Sequence, residues 1–346
     1  MSDLNEIYDK RNGKTSSKYK RTSKSKLLKP EGKLSEQAIT GKVFSSIGRI
    51  IKVETSQKGI SKFYECTVAG SLVSQNDDST IVAVGDSVRI LPEISEKTSV
   101  KTSATIIKVE PRRNCYARKA AGNVPYEQIL AANIDKVFIM MSALDPPYNR
   151  RLIDRMLISA ELNGIDAVIG INKTDLIDIK EIFHDFDIYK QLGIKVLFFS
   201  ISENSGIEEL VQAIKGFDSV LCGPSGVGKS SLINKILGTE EQSIQEVAER
   251  TFKGKHTTSF AKTFTLPFGG TVIDTPGLRE FGLWGIEKEE LSLYFHDFDS
   301  FRSKCKFPLC SHTHEPECGI VEAVESEKLD FQRYESYINI YGTLED

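Results

Sequence analysis

Residues 223–230 read Gly223-Pro224-Ser225-Gly226-Val227-Gly228-Lys229-Ser230, a run that fills every fixed position of a phosphate-cradling loop. Glycines let the backbone fold tightly around phosphate oxygens, so that its N–H groups and the N-terminus of the next helix face the anion. Lys229 would reach the β- and γ-phosphates, the Ser230 hydroxyl would ligate Mg²⁺, and Ser231 is the next candidate contact. The flanks agree with this reading. Ser219-Val220-Leu221-Cys222 has the apolarity of a short buried strand and 231–237 the pattern of a helix, which is the strand–loop–helix context the chemistry needs. A chance glycine-rich turn would lack it.

Upstream, Asn172-Lys173-Thr174-Asp175 follows the apolar run Asp166-Ala167-Val168-Ile169-Gly170-Ile171, which is long enough for a fully buried parallel strand. The Asp175 carboxylate offers a pair of acceptors that suit the two N–H donors on the Watson–Crick edge of guanine, donors that adenine cannot present. Lys173 can lay its aliphatic stem on the base, and Asn172 can tie the loop to neighbouring backbone. A weaker element, Ser200-Ile201-Ser202, follows strand-like 195–199; its backbone N–H groups would face the guanine carbonyl, with Ile201 where a small residue is usual. Downstream, Gly270-Thr271-Val272-Ile273 leads into Asp274-Thr275-Pro276-Gly277. Asp274 at a strand's carboxyl edge would hold Mg²⁺ through water, and the Gly277 N–H would meet the γ-phosphate. The base reader comes first here, whereas an ordinary GTPase carries it last, so the α/β domain reads as a circularly permuted P-loop GTPase.

Residue 278 departs from the common pattern: many GTPases place a water-orienting glutamine there, and Leu278 can neither donate nor accept a hydrogen bond. Lys253-Gly254-Lys255-His256-Thr257-Thr258 lies where the first switch belongs. Thr257 or Thr258 would close over Mg²⁺ through its hydroxyl. His256 is a candidate substitute for the missing glutamine, weighed against a plain contact with phosphate or RNA.

Taken together these motifs, with Pro111-Arg112-Arg113-Asn114, Ala131-Ala132-Asn133-Ile134-Asp135 and the run 277–284, resemble the family of circularly permuted GTPases known as RsgA or YjeQ, over nearly everything after residue 40. The resemblance implies an N-terminal β-barrel, a permuted GTPase domain and a zinc domain, in that order. It implies GTP hydrolysis by a factor acting late in maturation of the small ribosomal subunit, bound to its rRNA and stimulated by it, and it favours Thr258 as the switch hydroxyl. One rival is a GTP-gated RNA-binding scaffold with incidental hydrolysis, which Leu278 keeps open. Another is a GTPase acting away from ribosome assembly, against which the domain order argues.

Three of the six cysteines gather near the end as Cys305-x₄-Cys310-x-His312-x₅-Cys318. Three thiolates and an imidazole suit one closed tetrahedral structural Zn²⁺ site with no open position for chemistry. His314 competes as fourth ligand; the resemblance favours His312. Cys66, Cys115 and Cys222 read as small core residues. Neither a signal-peptide core nor a membrane-length apolar run is present, so the expected setting is the reducing cytoplasm, without disulfides and without a membrane partner.

The formal net charge of −3 conceals an asymmetry: residues 10–33 hold ten Lys/Arg against the single acid Glu31. That segment, part of an expected disordered arm over 1–40, reads as an RNA-contacting tail through counterion release. Short alternating strands at 43–44, 63–68, 80–82, 87–91 and 105–109 suit an OB-type barrel over 41–113, with the family resemblance carrying most of that reading. The GTPase domain is expected over 114–289, opening with the strand 136–141. The helical zinc-binding domain is expected over 290–346, with one amphipathic helix through Leu291, Tyr294, Phe295, Phe298 and Phe301 and another bearing Phe331, Tyr334, Tyr337 and Tyr341. Nothing in the pattern demands an obligate dimer, and a monomer is expected.

Overall fold

The computed structural model describes residues 37–47, 50–57, 60–73, 79–93, 103–120, 126–238, 261–275 and 280–344. Most of the basic arm, together with His256, Thr257, Thr258, Gly277 and Leu278, lies outside the described residues. Six strands form the central sheet: β8 (Lys136–Ser142), β9 (Asp166–Asn172), β10 (Lys195–Phe198), β11 (Asp218–Cys222), β12 (Ala261–Thr265) and β13 (Thr271–Asp274). Their order is β10-β9-β8-β11-β13-β12, and all run parallel except β12. The chain builds outward from β8 to the edge at β10, then returns to the centre for β11. Loops leaving the carboxyl ends of β8, β9, β10, β11 and β13 therefore converge on one edge, where open α/β sheets bind ligands.

Side chains alternate across this sheet because strand residues point to opposite faces. Val137, Ile139 and Met141 of β8 face helix α1 (Arg150–Leu162), whose Ile153 and Met156 are fully buried. Phe138 and Met140 face the opposite layer, formed by α2 (Ile207–Ile214) and α3 (Lys229–Leu237) through Leu210, Ile214, Leu232 and Ile233. Cys66, Cys115 and Cys222 are all buried.

The N-terminal strands are β1 (Ile39–Ile47), β2 (Ile50–Gln57), β3 (Ile60–Val68), β4 (Ser87–Pro92) and β5 (Ser103–Val109). They close in the circuit β1-β2-β3-β5-β4-β1 with β3–β5 parallel, a five-stranded barrel of OB type. Two sequence expectations fail here. Residues 80–82 form no barrel strand, while β2, missed in the sequence, carries the alternation Ile51, Val53, Thr55 into the barrel core. A hairpin of β6 (Cys115–Lys119) and β7 (Glu127–Ala132) also went unread, and it explains the first failure: Thr80 is occupied by the hairpin, through its N–H to Glu127 O at 3.0 Å and its hydroxyl accepting from Ile129 N at 3.0 Å.

Barrel and central sheet are continuous. The lower half of β1 pairs with β4 from Ile39 to Lys42, a bulge falls between Val43 and Ser45, and Ser45 and Ser46 then pair with Lys262 and Ala261 of β12. One sheet of eleven strands results.

The C-terminal unit differs from its expected single first helix. Its aromatic spacing falls on two 3₁₀ segments, Lys288–Tyr294 and His296–Phe298, followed by a short helix at Asp299–Arg302. The tighter turns still bury Leu291, Phe295 and Phe298. Helices α4 (Gly319–Glu325) and α5 (Phe331–Tyr341) complete it; Tyr337 is buried, whereas Phe331 stays exposed.

An ionic seam fixes this unit to α1. Arg150 donates to Gln332 at 2.7 Å and to Asp330 at 3.0 Å, Arg151 pairs with Glu335 at 2.8 Å, and His296 meets Glu161 at 2.8 Å. At its centre the buried guanidinium of Arg333 lies between Asp154 and Asp297, with the Tyr189 hydroxyl donating to Asp154 at 2.7 Å. Removing one partner from such a cluster strands the other charges in a low-dielectric interior. Arg333→Met is therefore expected to lower stability by about 3–5 kcal/mol, read as a lower urea midpoint, and adding Asp154→Asn with Asp297→Asn should recover part of it. A midpoint equal to that of the unaltered protein would show that the seam carries no weight.

Candidate nucleotide and metal sites

The turn after β11 is shaped by glycines that no other residue replaces. Gly226 and Gly228 sit at φ 86° and 99°, in the left-handed region. A Cβ on Gly223 would stand 2.0 Å from Met140 O, and one on Gly228 would stand 2.5 Å from Asn172 Nδ2. The N-cap of helix α3 is Gly228, which has no side chain to cap the first-turn N–H groups. The Lys229 ammonium folds back on the loop and donates to Gly223 O and Pro224 O, each at 2.8 Å. Burial pushes its pKa below the usual lysine value, against the pull of nearby Asp274. Ser230 and Ser231 are exposed on the same turn of helix.

Asn172, Lys173, Thr174 and Asp175 leave the carboxyl end of β9 beside this loop. Buried Asn172 links three segments: its Nδ2 donates to Val227 O at 2.8 Å, and its Oδ1 accepts from Ile201 N at 3.3 Å. Lys173 is left-handed at φ 61° and donates through Nζ to Asp145 O. The Thr174 N–H reaches Phe199 O at 3.4 Å. Asp175 accepts from the hydroxyl of buried Ser200 and, at 3.1 Å, from that of Ser202. Those donors, Ser200 foremost, hold its carboxyl below the usual range.

Asp274 ends β13 half-buried, and the Thr275 hydroxyl donates to Leu221 O at 2.9 Å, tying the second-switch strand to the strand before the phosphate loop. Beyond the switch, Glu280 O accepts from Arg118 at 2.8 Å, Gly282 O accepts from the Lys119 N–H at 2.8 Å, and Phe281 stacks at a tilt on Tyr116, 5.5 Å between centroids. The switch thus runs onto the β6–β7 hairpin before the chain reaches the C-terminal unit, an attachment the sequence did not disclose.

A second constellation lies in the C-terminal unit. The ligand atoms of Cys305, Cys310, His312 and Cys318 all fall within 4.8 Å of one another, an arrangement that could hold a metal ion. Cys305 Sγ and Cys318 Sγ are each 3.5 Å from His312 Nδ1 and 3.9 Å from each other. Left-handed backbone at His312, φ 60°, and hydrogen bonds from Tyr334 to His312 O at 2.9 Å and from Tyr337 to Ser311 O at 2.6 Å fix the turn. Burial pushes the Cys305 and Cys310 thiols up and depresses His312 to about 4, so the imidazole is neutral and free to ligate. His314 is outside this cluster; its Nδ1 meets the Thr313 hydroxyl at 2.8 Å.

The model of the RsgA GTPase family matches residues 109–284. A small ribosomal subunit biogenesis GTPase RsgA from Chlorobaculum parvum is 40% identical over 314 residues, spanning 90% of this chain and 99% of that relative. The protein of that name from Flavobacterium psychrophilum is 36% identical, over 87% of this chain and 92% of its own. The chain belongs to the RsgA GTPase family. It is accordingly a GTP hydrolase. The crystal structure of YjeQ from Thermotoga maritima superposes with a TM-score of 0.64 at 31% identity, covering 89% of this chain and 98% of that one. The structure of YloQ, described as a circularly permuted GTPase, gives 0.60 at 24% identity and supports the same permuted fold.

Within this RsgA-family frame, the predicted phosphate, base and Asp274 elements converge on one sheet edge. The bond of the Ser202 side chain to Asp175 and the contacts of Arg118 and Lys119 with the segment after the second switch were not foreseen. The first was visible as the second hydroxyl of Ser200-Ile201-Ser202, whereas the other pair depends on a hairpin that only folding brings near the switch. No helix among the described residues is long and apolar enough to cross a membrane.

Proposed function

We propose that this chain hydrolyses GTP as a late maturation factor of the small ribosomal subunit, binding its rRNA through the barrel and the basic arm. One observation carries the reading: a single buried side chain, Asn172, joins the base-reading loop, the Ser200–Ser202 turn and the phosphate loop into one pocket. In that pocket Asp175 reads guanine, the backbone of 223–228 and the α3 N-terminus cradle phosphate, and Lys229 exchanges its two carbonyl partners for phosphate oxygens. Ser230, Asp274 and Thr258 would hold Mg²⁺, which would supply neutralisation of phosphate charge. Ser231 and the Gly277 N–H complete the contacts, and His256 is the candidate for orienting water in place of the absent glutamine.

The ion of the C-terminal cluster is read as a structural zinc. A tetrahedron with thiolates at about 2.3 Å and imidazole at about 2.0 Å has edges of about 3.8 Å and 3.5 Å, close to the 3.9 and 3.5 Å among Cys305, Cys318 and His312, with Cys310 within 4.8 Å of all three. Four protein donors leave no open position, so the ion's chemistry is to hold the chain in place. The divisions near 40, 113 and 289 then separate an RNA-contacting arm, a barrel, the GTPase and a zinc-held unit, acting as a cytoplasmic monomer.

The test is GTP turnover with and without purified small subunits. Subunits are expected to raise the rate at least about tenfold, and His256→Ala to lower the stimulated rate by roughly ten- to a thousand-fold while GTP affinity stays near its original value. Equal rates with and without subunits would favour the scaffold with incidental hydrolysis.

A further inference from the structure

Asp175 is met by more donors than a base reader needs. Ser200 Oγ touches its Oδ1, Ser202 Oγ lies 3.1 Å from its Oδ2, and the two hydroxyls are 2.9 Å apart. Each hydroxyl owns one proton, so these three contacts share two protons. The Glu203 N–H already donates to Ser200 Oγ at 3.1 Å, which fills one of that oxygen's acceptor directions and turns its own proton toward Asp175. The remaining proton, on Ser202, has two destinations: Asp175 Oδ2 or Ser200 Oγ.

We propose that Ser202 is a positioning residue for guanine selection, pinning the carboxylate plane of Asp175 through the hydrogen bond of its hydroxyl to Oδ2. The inference rests on the base-reading role proposed for Asp175. With Ser200 alone, the carboxylate is held at one oxygen and turns about its last side-chain bond, a broad torsion. With both serines it is held at two points, and each carboxylate oxygen keeps a lone pair for the base. When the N–H donors of guanine arrive, the Ser202 hydroxyl keeps its bond to Oδ2 and the base meets the remaining lone pair on each oxygen. Inosine, which lacks the 2-amino donor, fills only one of the two prepared acceptors, so a pinned carboxylate discriminates against it more sharply than a free one.

The test measures GTP and ITP binding, together with subunit-stimulated kcat, for four variants. Ser202→Ala should weaken GTP about three- to tenfold, the span of one exposed hydrogen bond, and should narrow the GTP-over-ITP preference while leaving kcat within about twofold. Ser202→Thr, which keeps the hydroxyl, should restore both. In an Asp175→Ala background the added Ser202→Ala should cost nothing more, because its effect acts through the missing carboxylate. Unchanged GTP affinity in Ser202→Ala, or an equal loss with and without Asp175, overturns the positioning role and leaves base reading intact. Unchanged affinity for both nucleotides in Asp175→Ala overturns base reading and the inference with it.

Discussion

Asp175→Asn is expected to weaken GTP binding by about 100-fold and to raise the relative preference for xanthosine triphosphate. Guanine presents two N–H donors on its Watson–Crick edge, and a site built to receive them discriminates strongly because an unmatched buried polar group is left unpaired. Asparagine replaces one acceptor by an NH₂ donor that opposes the 2-amino group of guanine and matches the 2-carbonyl of xanthine. Ser200 and Ser202 face different oxygens of Asp175, so in the amide one hydroxyl donates to the carbonyl oxygen and the other accepts from the NH₂, and both still orient it. Titration with both nucleotides checks the exchange. Equal GTP affinity in the variant would remove Asp175 from the base pocket, and the phosphate loop would have to be filled by some other nucleotide.

Loss of the ion proposed for the Cys305, Cys310, His312 and Cys318 cluster should have the largest structural effect. Cys310→Ser, or exhaustive chelation, is expected to release the fixed shape of the unit beyond about residue 290, because a piece this small lacks the core to hold it alone and structural zinc contributes its binding energy to folding. Phe298 and Tyr337 pack against His312 and each other, so their order is tied to the cluster. GTP should still bind, since the phosphate loop and Asp175 stand on β11 and β9. Limited proteolysis should cut the C-terminal unit first while nucleotide affinity changes less than about threefold. A metal-free protein with the same protease pattern would show that the aromatic core suffices without an ion. The post-switch segment 280–283 rests on the hairpin, and the C-terminal unit rests on α1.

The parts of this molecule legible in its sequence are those where chemistry dictates spacing. A phosphate loop needs its glycines and lysine at fixed offsets, and a four-ligand metal site needs its thiols and imidazoles within a short span, so 223–230 and Cys305, Cys310 and Cys318 could be read without a fold, while His312 was preferred to His314 on the family resemblance. Strand β2 was equally present in the alternation of Ile51, Val53 and Thr55, and was lost to the turn-like residues at its end. Arg333, Asp154 and Asp297 were hidden for a different reason: charged residues read as surface, and only the docking of α5 on α1 buries them together. The same holds for Arg118 and Lys119, whose role depends on residues far downstream.

Strand β1 changes partners at its bulge, and this bears on how the chain is made. A nascent chain emerges from its N-terminus, so Ile39–Lys42 find β4 soon after Ile90 appears, and the barrel circuit can close early. Ser45 and Ser46 must wait for Ala261 and Lys262, which follow the phosphate loop in the order of synthesis. During that interval the upper half of β1 is an open edge with unmatched N–H and C=O groups, the kind of template on which stray strands add. Pairing across so long a separation is also slow to find. The newly made barrel therefore keeps this short edge open until the last two strands of the GTPase sheet are delivered.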